Sequence, residues 1–141
     1  MRRTFPKAVR LHHSRTIREV FKKGVYLSLG PISVKYQMTE AELSRFVVSV
    51  KKKAGSATCR NRIKRLLREA IRQERSLLNY AYDICFFVAS PPKQPLDSSY
   101  VLRQVRRFFN NLNKESSERS GRHNANSGSI NILDKLQDLS G

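Results

Sequence analysis

Acidic residues are scarce in this sequence: 11 Asp and Glu stand against 28 Lys and Arg, for a formal net charge of +17. They are also scattered, at Glu19, Glu40, Glu42, Glu69, Glu74, Asp83 and Asp97 among others. A nuclease working on its own would want clustered carboxylates for a divalent metal, or a paired acid and base. The sequence offers neither, so no catalytic residue and no bound metal are expected in this chain. Cysteine is nearly absent too. Cys59 and Cys85 form no Cys-x-x-Cys pair, and His12, His13 and His123 complete no zinc pattern. Two reduced thiols are expected, with Cys85 in a strand. No apolar run approaches the ~20 residues that span a bilayer. The basic start Met1-Arg2-Arg3 is followed by no apolar stretch of the secretory kind. The expectation is a cytoplasmic protein with no membrane association. There are no internal repeats.

What is present is cationic and able to fold. The chain has 141 residues, 39% of them hydrophobic, which suits one domain with a proper core. A charge of +17 repels itself in the compact state, so an anionic partner is expected. Nucleic acid fits best, because Lys and Arg displace the counterions condensed on a polyanion. A membrane surface would require a basic amphipathic helix with a spare bulky apolar face.

The hydrophobic periods give the element order. Residues 1–13 read as a basic, irregular arm, in which His12 and His13 suit solvent or phosphate rather than catalysis. A helix starts at Ser14, with Ile17, Val20 and Phe21 at helical spacing, and stops at Gly24. Ile32, Val34 and Tyr36 alternate with polar residues, as in a half-buried strand. Phe46, Val48 and Val50 form a second strand, apolar enough on both faces to suggest a central position. A long helix over residues 57–78 follows a basic loop. Tyr82 to Ala89 is a third strand. After Pro91, Pro92 and Pro95, Asp97 or Ser98 can cap a last helix whose apolar face is Val101, Val105, Phe108, Phe109 and Leu112. The fold class is α+β, with a single small sheet packed against helices. The connection from the second strand through the long helix to the third is by default a right-handed crossover. Residues 14–112 form the domain, and 113–141 a polar, disordered tail. Within that tail Ile130, Ile132, Leu133, Leu136 and Leu139 allow a short amphipathic helix, marginal in isolation.

The long helix carries the chemistry. At about 100° per residue, Ile63, Leu66, Leu67, Ala70 and Ile71 share one stripe. Asn61, Arg65, Arg68 and Arg72 share another, roughly opposite, with Arg60, Lys64 and Arg75 on its flank. Glu69 and Glu74 fall off the basic stripe. A merely solvated face mixes signs to gain i,i+4 pairs; here like charges neighbour one another, each pair costing a few tenths of a kcal/mol. Arginine's planar fork suits bidentate phosphate contacts and stacking on bases.

The run Val50-Lys51-Lys52-Lys53-Ala54-Gly55-Ser56-Ala57-Thr58-Cys59-Arg60-Asn61-Arg62-Ile63-Lys64-Arg65-Leu66-Leu67-Arg68-Glu69 resembles the signature of the bacterial ribonuclease P protein component. Weaker agreement runs from Ser14 to Leu112 and includes Phe21-Lys22-Lys23-Gly24. The resemblance implies a left-handed crossover around the long helix, against the default. It implies that Arg60, Asn61, Arg62, Lys64, Arg65 and Arg68 meet a catalytic RNA, with Lys51, Lys52 and Lys53 on the same surface; Arg72, on the same basic stripe, is expected to join them. It implies a cleft between the sheet and the first helix, holding the 5′ leader of precursor tRNA, with Phe21, Ile17 and Tyr36 as its candidate residues. The catalytic RNA, with Mg2+, would perform the hydrolysis, and the protein would improve substrate and metal-ion binding. The chain would thus be one component of an endoribonuclease that matures tRNA 5′ ends, with no stable protein partner. Ile17 stands where many members carry a second aromatic, Val47 where a glycine is common, and Ala89-Ser90 where a basic residue often follows. Three other readings compete: a structural RNA-binding protein of the ribosomal kind, a self-sufficient nuclease, and a DNA-binding basic helix. The last lacks a leucine-zipper heptad.

Overall fold

The computed structural model describes residues 7–121. Three helices and four strands follow one another as α1 (Ser14–Lys23), β1 (Val25–Leu29), β2 (Ile32–Met38), β3 (Arg45–Val50), α2 (Ala57–Glu74), β4 (Tyr82–Val88) and α3 (Ser98–Gly121). The α+β class and the single sheet expected from the sequence are present. The sheet has the order β1-β2-β4-β3. β1 pairs antiparallel with β2, and β2 with β4, whereas β3 runs parallel to β4. The β3–α2–β4 unit is therefore a crossover between neighbouring parallel strands.

β1 is a strand that the sequence pattern does not announce. Leu29 pairs with Ile32, so Gly30 and Pro31 alone make the turn into β2. Gly30 has φ 82°, the left-handed region that favours glycine, and two-residue hairpins commonly require it. A Cβ there would also lie 2.6 Å from the Tyr100 hydroxyl, so the missing side chain lets α3 approach the turn.

β3 lies at the edge of the sheet, not at its centre as its apolar pattern suggests. The central positions belong to β2 and β4. The outer side of β3 is covered by the segment before α1. Arg10 bridges to Phe46, and the Leu11 amide donates to the Phe46 carbonyl at 2.7 Å. Val9 and Leu11, within the basic arm, are buried. Phe46, Val48 and Val50 are buried and Val47 half-buried without a second neighbouring strand.

The sheet separates two apolar clusters. On one face Leu27, Ile32, Val34, Tyr36, Phe46, Ile84 and Phe86 meet Leu67 and Ile71 of α2 and Val105, Phe108 and Phe109 of α3. Every residue of the apolar face expected for α3 is fully buried. Burial of each such large side chain is worth about 1.5–3 kcal/mol, so this face dominates stability. On the other face α1 lays Val20 and Ile17 against Leu11, Val47 and Cys85.

The helix ends follow local chemistry. Ser56 caps α2, its hydroxyl accepting from the Cys59 amide at 3.2 Å. α2 ends at Glu74 and tightens into a 3-10 turn at Arg75–Leu77, inside the expected limit of 78. Asp97 caps α3 by accepting from the Tyr100 amide at 2.8 Å. α3 then continues to Gly121, beyond the boundary expected at residue 112. The remainder of the expected tail, residues 122–141, lies outside the described residues, as do residues 1–6. No helix of the described residues is long and apolar enough to cross a membrane.

Candidate nucleic-acid interface

The basic loop before α2 is bound to the helix it precedes. The Lys51 amide donates to the Val88 carbonyl at 3.0 Å, and Lys52–Ala54 form a 3-10 turn with Ala54 buried. Gly55 then takes φ 150°, where a Cβ would come within 3.2 Å of Cys59 Cβ. Arg60 Nε donates back to the Gly55 carbonyl at 3.2 Å. Lys51, Lys52 and Lys53 are left exposed around this turn. The first turn of α2 contains no acid. Its unpaired amides and the three lysines therefore make a strongly positive entrance.

Along α2, Asn61, Arg62, Arg65 and Arg68 are exposed, while Arg60, Lys64 and Arg72 are half-buried. Arg62, Arg65 and Arg68 form no ion pair with any described residue. The two acids of the helix behave differently from the expected separation. Glu69 reaches Arg72, accepting from its Nε at 3.1 Å and from Nη2, and also accepts from Gln73 at 3.0 Å. The hydrogen bond to Glu69 raises the pKa of Arg72 above its ordinary value. Arg72 is thus already engaged, one turn below the unpaired arginines. The angular offset of three residues, about 60°, is small enough for long side chains to cross. Glu74 is buried and accepts two bonds from Arg106 of α3, at 3.1 and 3.0 Å.

Across the sheet, beside α1, lies a group of aromatic side chains partly open to solvent. Phe21 is 37% exposed, and its ring is 5.4 Å from that of Phe87 on β4. Tyr26 of β1 also meets Phe87, ring to ring at 6.3 Å, with its hydroxyl 3.2 Å from Ser33 Oγ. Lys35 of β2, paired in register with Tyr26 and Cys85, donates from Nζ to the Phe21 carbonyl at 2.5 Å. Ile17 is half-buried in the apolar cluster under α1. Gly24 braces this arrangement: a Cβ would meet the Val20 carbonyl at 2.4 Å and the Tyr36 carbonyl at 2.9 Å.

Tyr36, expected beside Phe21, does not share its face of the sheet. It faces the opposite side of the sheet, 3% exposed, with Phe108 at 5.3 Å and Tyr82 at 6.1 Å. Strand alternation requires this, because Tyr36 shares its face with Ile32 and Val34. The neighbour that does reach the α1 side is Lys35. Phe87 and Tyr26 stand beside Phe21 on this face and are absent from the sequence-based candidates. For Phe87 the signal was available, since alternation from Ile84 and Phe86 sends Phe87 to the far face. For Tyr26 it was hidden with β1.

Other reactive groups are not assembled into a centre. Burial, and then the charge of Asp83, push the Cys85 thiol up to about 12. His12 and His13 are exposed, with rings 4.5 Å apart and His12 Nδ1 near the Arg10 carbonyl at 3.1 Å. Among the described residues no group of three or more His, Cys, Asp or Glu side chains could hold a metal ion. The interface offers cations on one face, and aromatics with a lysine on the other.

Comparison with known proteins gives a consistent result. Residues 5–113 match the family model described as Ribonuclease P. The chain is similar to the ribonuclease P protein component of Borrelia turicatae, 34% identical over 84 residues covering 60% of this chain and 72% of that one. The corresponding protein of Syntrophomonas wolfei is 30% identical over 114 residues, covering 77% of this chain and 96% of that one. Among solved structures, the RNase P protein of Thermotoga maritima superposes with a TM-score of 0.61 at 27% identity, covering 71% of this chain and 94% of that one. The Staphylococcus aureus RNase P protein gives 0.63 at 27% identity, with 72% and 92% covered.

Proposed function

This chain belongs to the bacterial ribonuclease P protein component family, and on that premise we propose that it uses two surfaces, α2 for the catalytic RNA and the α1 cleft for the 5′ leader of precursor tRNA. As such a component it takes part in an endoribonuclease holoenzyme and partners with the ribonuclease P RNA. The observation that carries the assignment of surfaces is the state of Arg62, Arg65 and Arg68. They are exposed on one helix and make no ion pair with any described residue. Like charges at these spacings oppose helix formation by a few tenths of a kcal/mol each, a cost that a polyanion reverses. Phosphates replace solvent at the guanidinium forks, and counterion release supplies the driving force.

The cleft supports the second role. Phe21 and Phe87 present ring surface beside a fixed cation, Lys35. Single-stranded RNA is held in a sequence-tolerant way by bases stacked on aromatic side chains, with cations along the backbone. A leader, whose sequence differs between tRNA genes, calls for that tolerance. Hydrolysis is assigned to the RNA, with its Mg2+, and the protein positions substrate and lowers the electrostatic cost of bringing two RNAs together.

The test is cleavage of a precursor tRNA at low Mg2+ with a matching catalytic RNA, with and without this protein, and with the protein alone. Protein that is inert alone but restores RNA-dependent 5′ maturation supports the reading. Protein that binds the RNA without improving cleavage replaces it with a purely structural RNA-binding role.

A further inference from the structure

Between α2 and the start of α3 lies a groove of about 520 Å³. We propose, resting on the assignment of α2 to the catalytic RNA, that this groove takes one unpaired nucleotide of that RNA. One wall is formed by Arg62 and Arg65, and the opposite wall by Ser98 and Ser99 in the first turn of α3. Its lining includes Leu66, Ala70 and Leu102. Leu66 and Leu102 are only half-buried, so apolar surface is open beside two guanidiniums.

That combination argues for a nucleotide rather than a bare phosphate. A rail that tracks phosphates needs cations and gains nothing from leucine. A concave surface with an apolar lining and a few convergent charges is what holds a compact organic ligand, and the groove falls in the usual range of roughly 300–1,000 Å³. The acid that lines it, Glu69, is occupied by Arg72 and Gln73, so its charge is offset within the protein. Arg62 and Arg65, on the same helix as Glu69, have no such partner among the described residues. The phosphate of a nucleotide meets the Arg62 and Arg65 forks, and its base lies on Leu66 and Leu102. The RNA-binding surface then extends from α2 onto α3, which no basic residue in the Ser98–Ser99 turn would have indicated.

The experiment is a titration of full-length protein against the catalytic RNA over a series of salt concentrations. Leu102→Ala, Ser99→Glu and Asn110→Glu are compared with the unmodified chain, and folding is checked by circular dichroism. Leu102→Ala removes apolar surface without changing charge. It is expected to weaken binding by roughly fivefold to tenfold while leaving the salt slope unchanged. Ser99→Glu places a carboxylate in the groove wall, at a helix start where acids favour stability, so the protein should remain folded. It is expected to weaken binding more than Asn110→Glu, an equal charge placed further along α3 on an exposed position. Leu102→Ala binding as the unmodified chain does, or Ser99→Glu proving no worse than Asn110→Glu, overturns the groove. If the unmodified chain itself fails to bind the catalytic RNA, the assignment of α2 fails, and the groove with it. If it binds normally and the groove variants do too, only the groove fails.

Discussion

The ring of Phe21 on α1 lies 5.4 Å from the ring of Phe87 on β4, at an interplanar angle of 52°. The Phe21 backbone is held in turn by Lys35 from β2. Three elements distant in sequence therefore fix one aromatic surface before any ligand arrives. Pre-organisation of this kind lowers the ordering cost of binding. Removing either ring should weaken the hold on a leader by about 1–3 kcal/mol, the usual worth of one stacked base. Phe21→Ala and Phe87→Ala are thus expected to reduce affinity for precursor tRNA and to leave affinity for mature tRNA nearly unchanged. Equal losses on both substrates would remove the cleft from leader binding.

Tyr36 should give the contrasting result. Its ring packs in the core against Phe108 and Tyr82. Tyr36→Ala leaves a cavity and is expected to cost roughly 3–5 kcal/mol of stability, the range for large aromatic truncations. Denaturant unfolding measures this directly. At temperatures where the variant stays folded, its preference for precursor over mature tRNA should match that of the unmodified chain. A selective loss of leader affinity in folded Tyr36→Ala would show that the ring acts on the cleft after all.

The pair Lys35 and Tyr36 also marks how far the sequence could be read. The apolar alternation through Ile32, Val34 and Tyr36 defined the strand and its buried face, because a period of two is a local property. The same alternation excludes Tyr36 from the far face and places Lys35 there, yet an aromatic stands out as a base-stacking group and a lysine does not. Arg60, Asn61, Arg62 and Arg65 were legible for the opposite reason: their spacing within one helix settles their relative directions. β1 was hidden because Val25 to Leu29 is short and follows α1 after a single glycine. The edge position of β3 could not be read at all, since its open side is covered by Arg10 and Leu11, which arrive from a distant segment. The Glu69–Arg72 pair depends on side-chain rotamers that angular position alone does not specify.

Arg65 and Arg68 should each carry a measurable share of the salt dependence. Taking away the cation that neutralises one phosphate lowers the slope of log K against log salt by about one unit. Arg65→Ala and Arg68→Ala are therefore expected to weaken catalytic-RNA binding with a slope shallower by about one unit apiece. Arg72 differs, because it already bonds to Glu69 and Arg72→Ala also releases that acid. Its effect on affinity at a single salt concentration should not be read as the worth of one phosphate. An unchanged slope in both Arg65→Ala and Arg68→Ala would take the phosphate role away from this face.

Arg45 and Asp83 join β3 to β4 on the α1 side, with two bonds of 2.8 Å. Asp83 is 2% exposed, and the pairing gives both its oxygens a partner. Removing the arginine would strand a buried carboxylate, which generally costs about 3–5 kcal/mol. Arg45 is itself partly open to solvent, which favours the lower end. Arg45→Leu should therefore unfold at distinctly lower denaturant concentration. The double variant Arg45→Leu with Asp83→Leu should recover much of the loss, because no charge is then left buried. Failure of the double variant to recover stability would mean that packing around the pair, not the stranded charge, sets its cost.

Asp83 bears on Cys85 as well. Burial first, and the nearby Asp83 charge second, hold the Cys85 thiol at a pKa of about 12, against 9.0 for an ordinary cysteine. The thiolate is the reactive form, so Cys85 should resist alkylation in the folded protein while exposed Cys59 reacts. Mass spectrometry should find one label under native conditions and two after unfolding. The same shift predicts a pH dependence. Above about pH 9 the unfolded chain releases the Cys85 proton, whereas the folded chain keeps it until about pH 12. The folded state then binds more protons than the unfolded state, and linkage requires stability to fall as pH rises through that window. Below pH 9 both states hold the proton, and this contribution is fully present. Lysines and tyrosines titrate in the same range, so the comparison must be with Cys85→Ala, which lacks only this group. Between pH 8 and pH 10.5 the unmodified chain should lose stability more steeply than Cys85→Ala. Parallel curves would mean that the thiol ionises as readily in the folded protein as in the unfolded chain, and rapid labelling of Cys85 under native conditions would then accompany them.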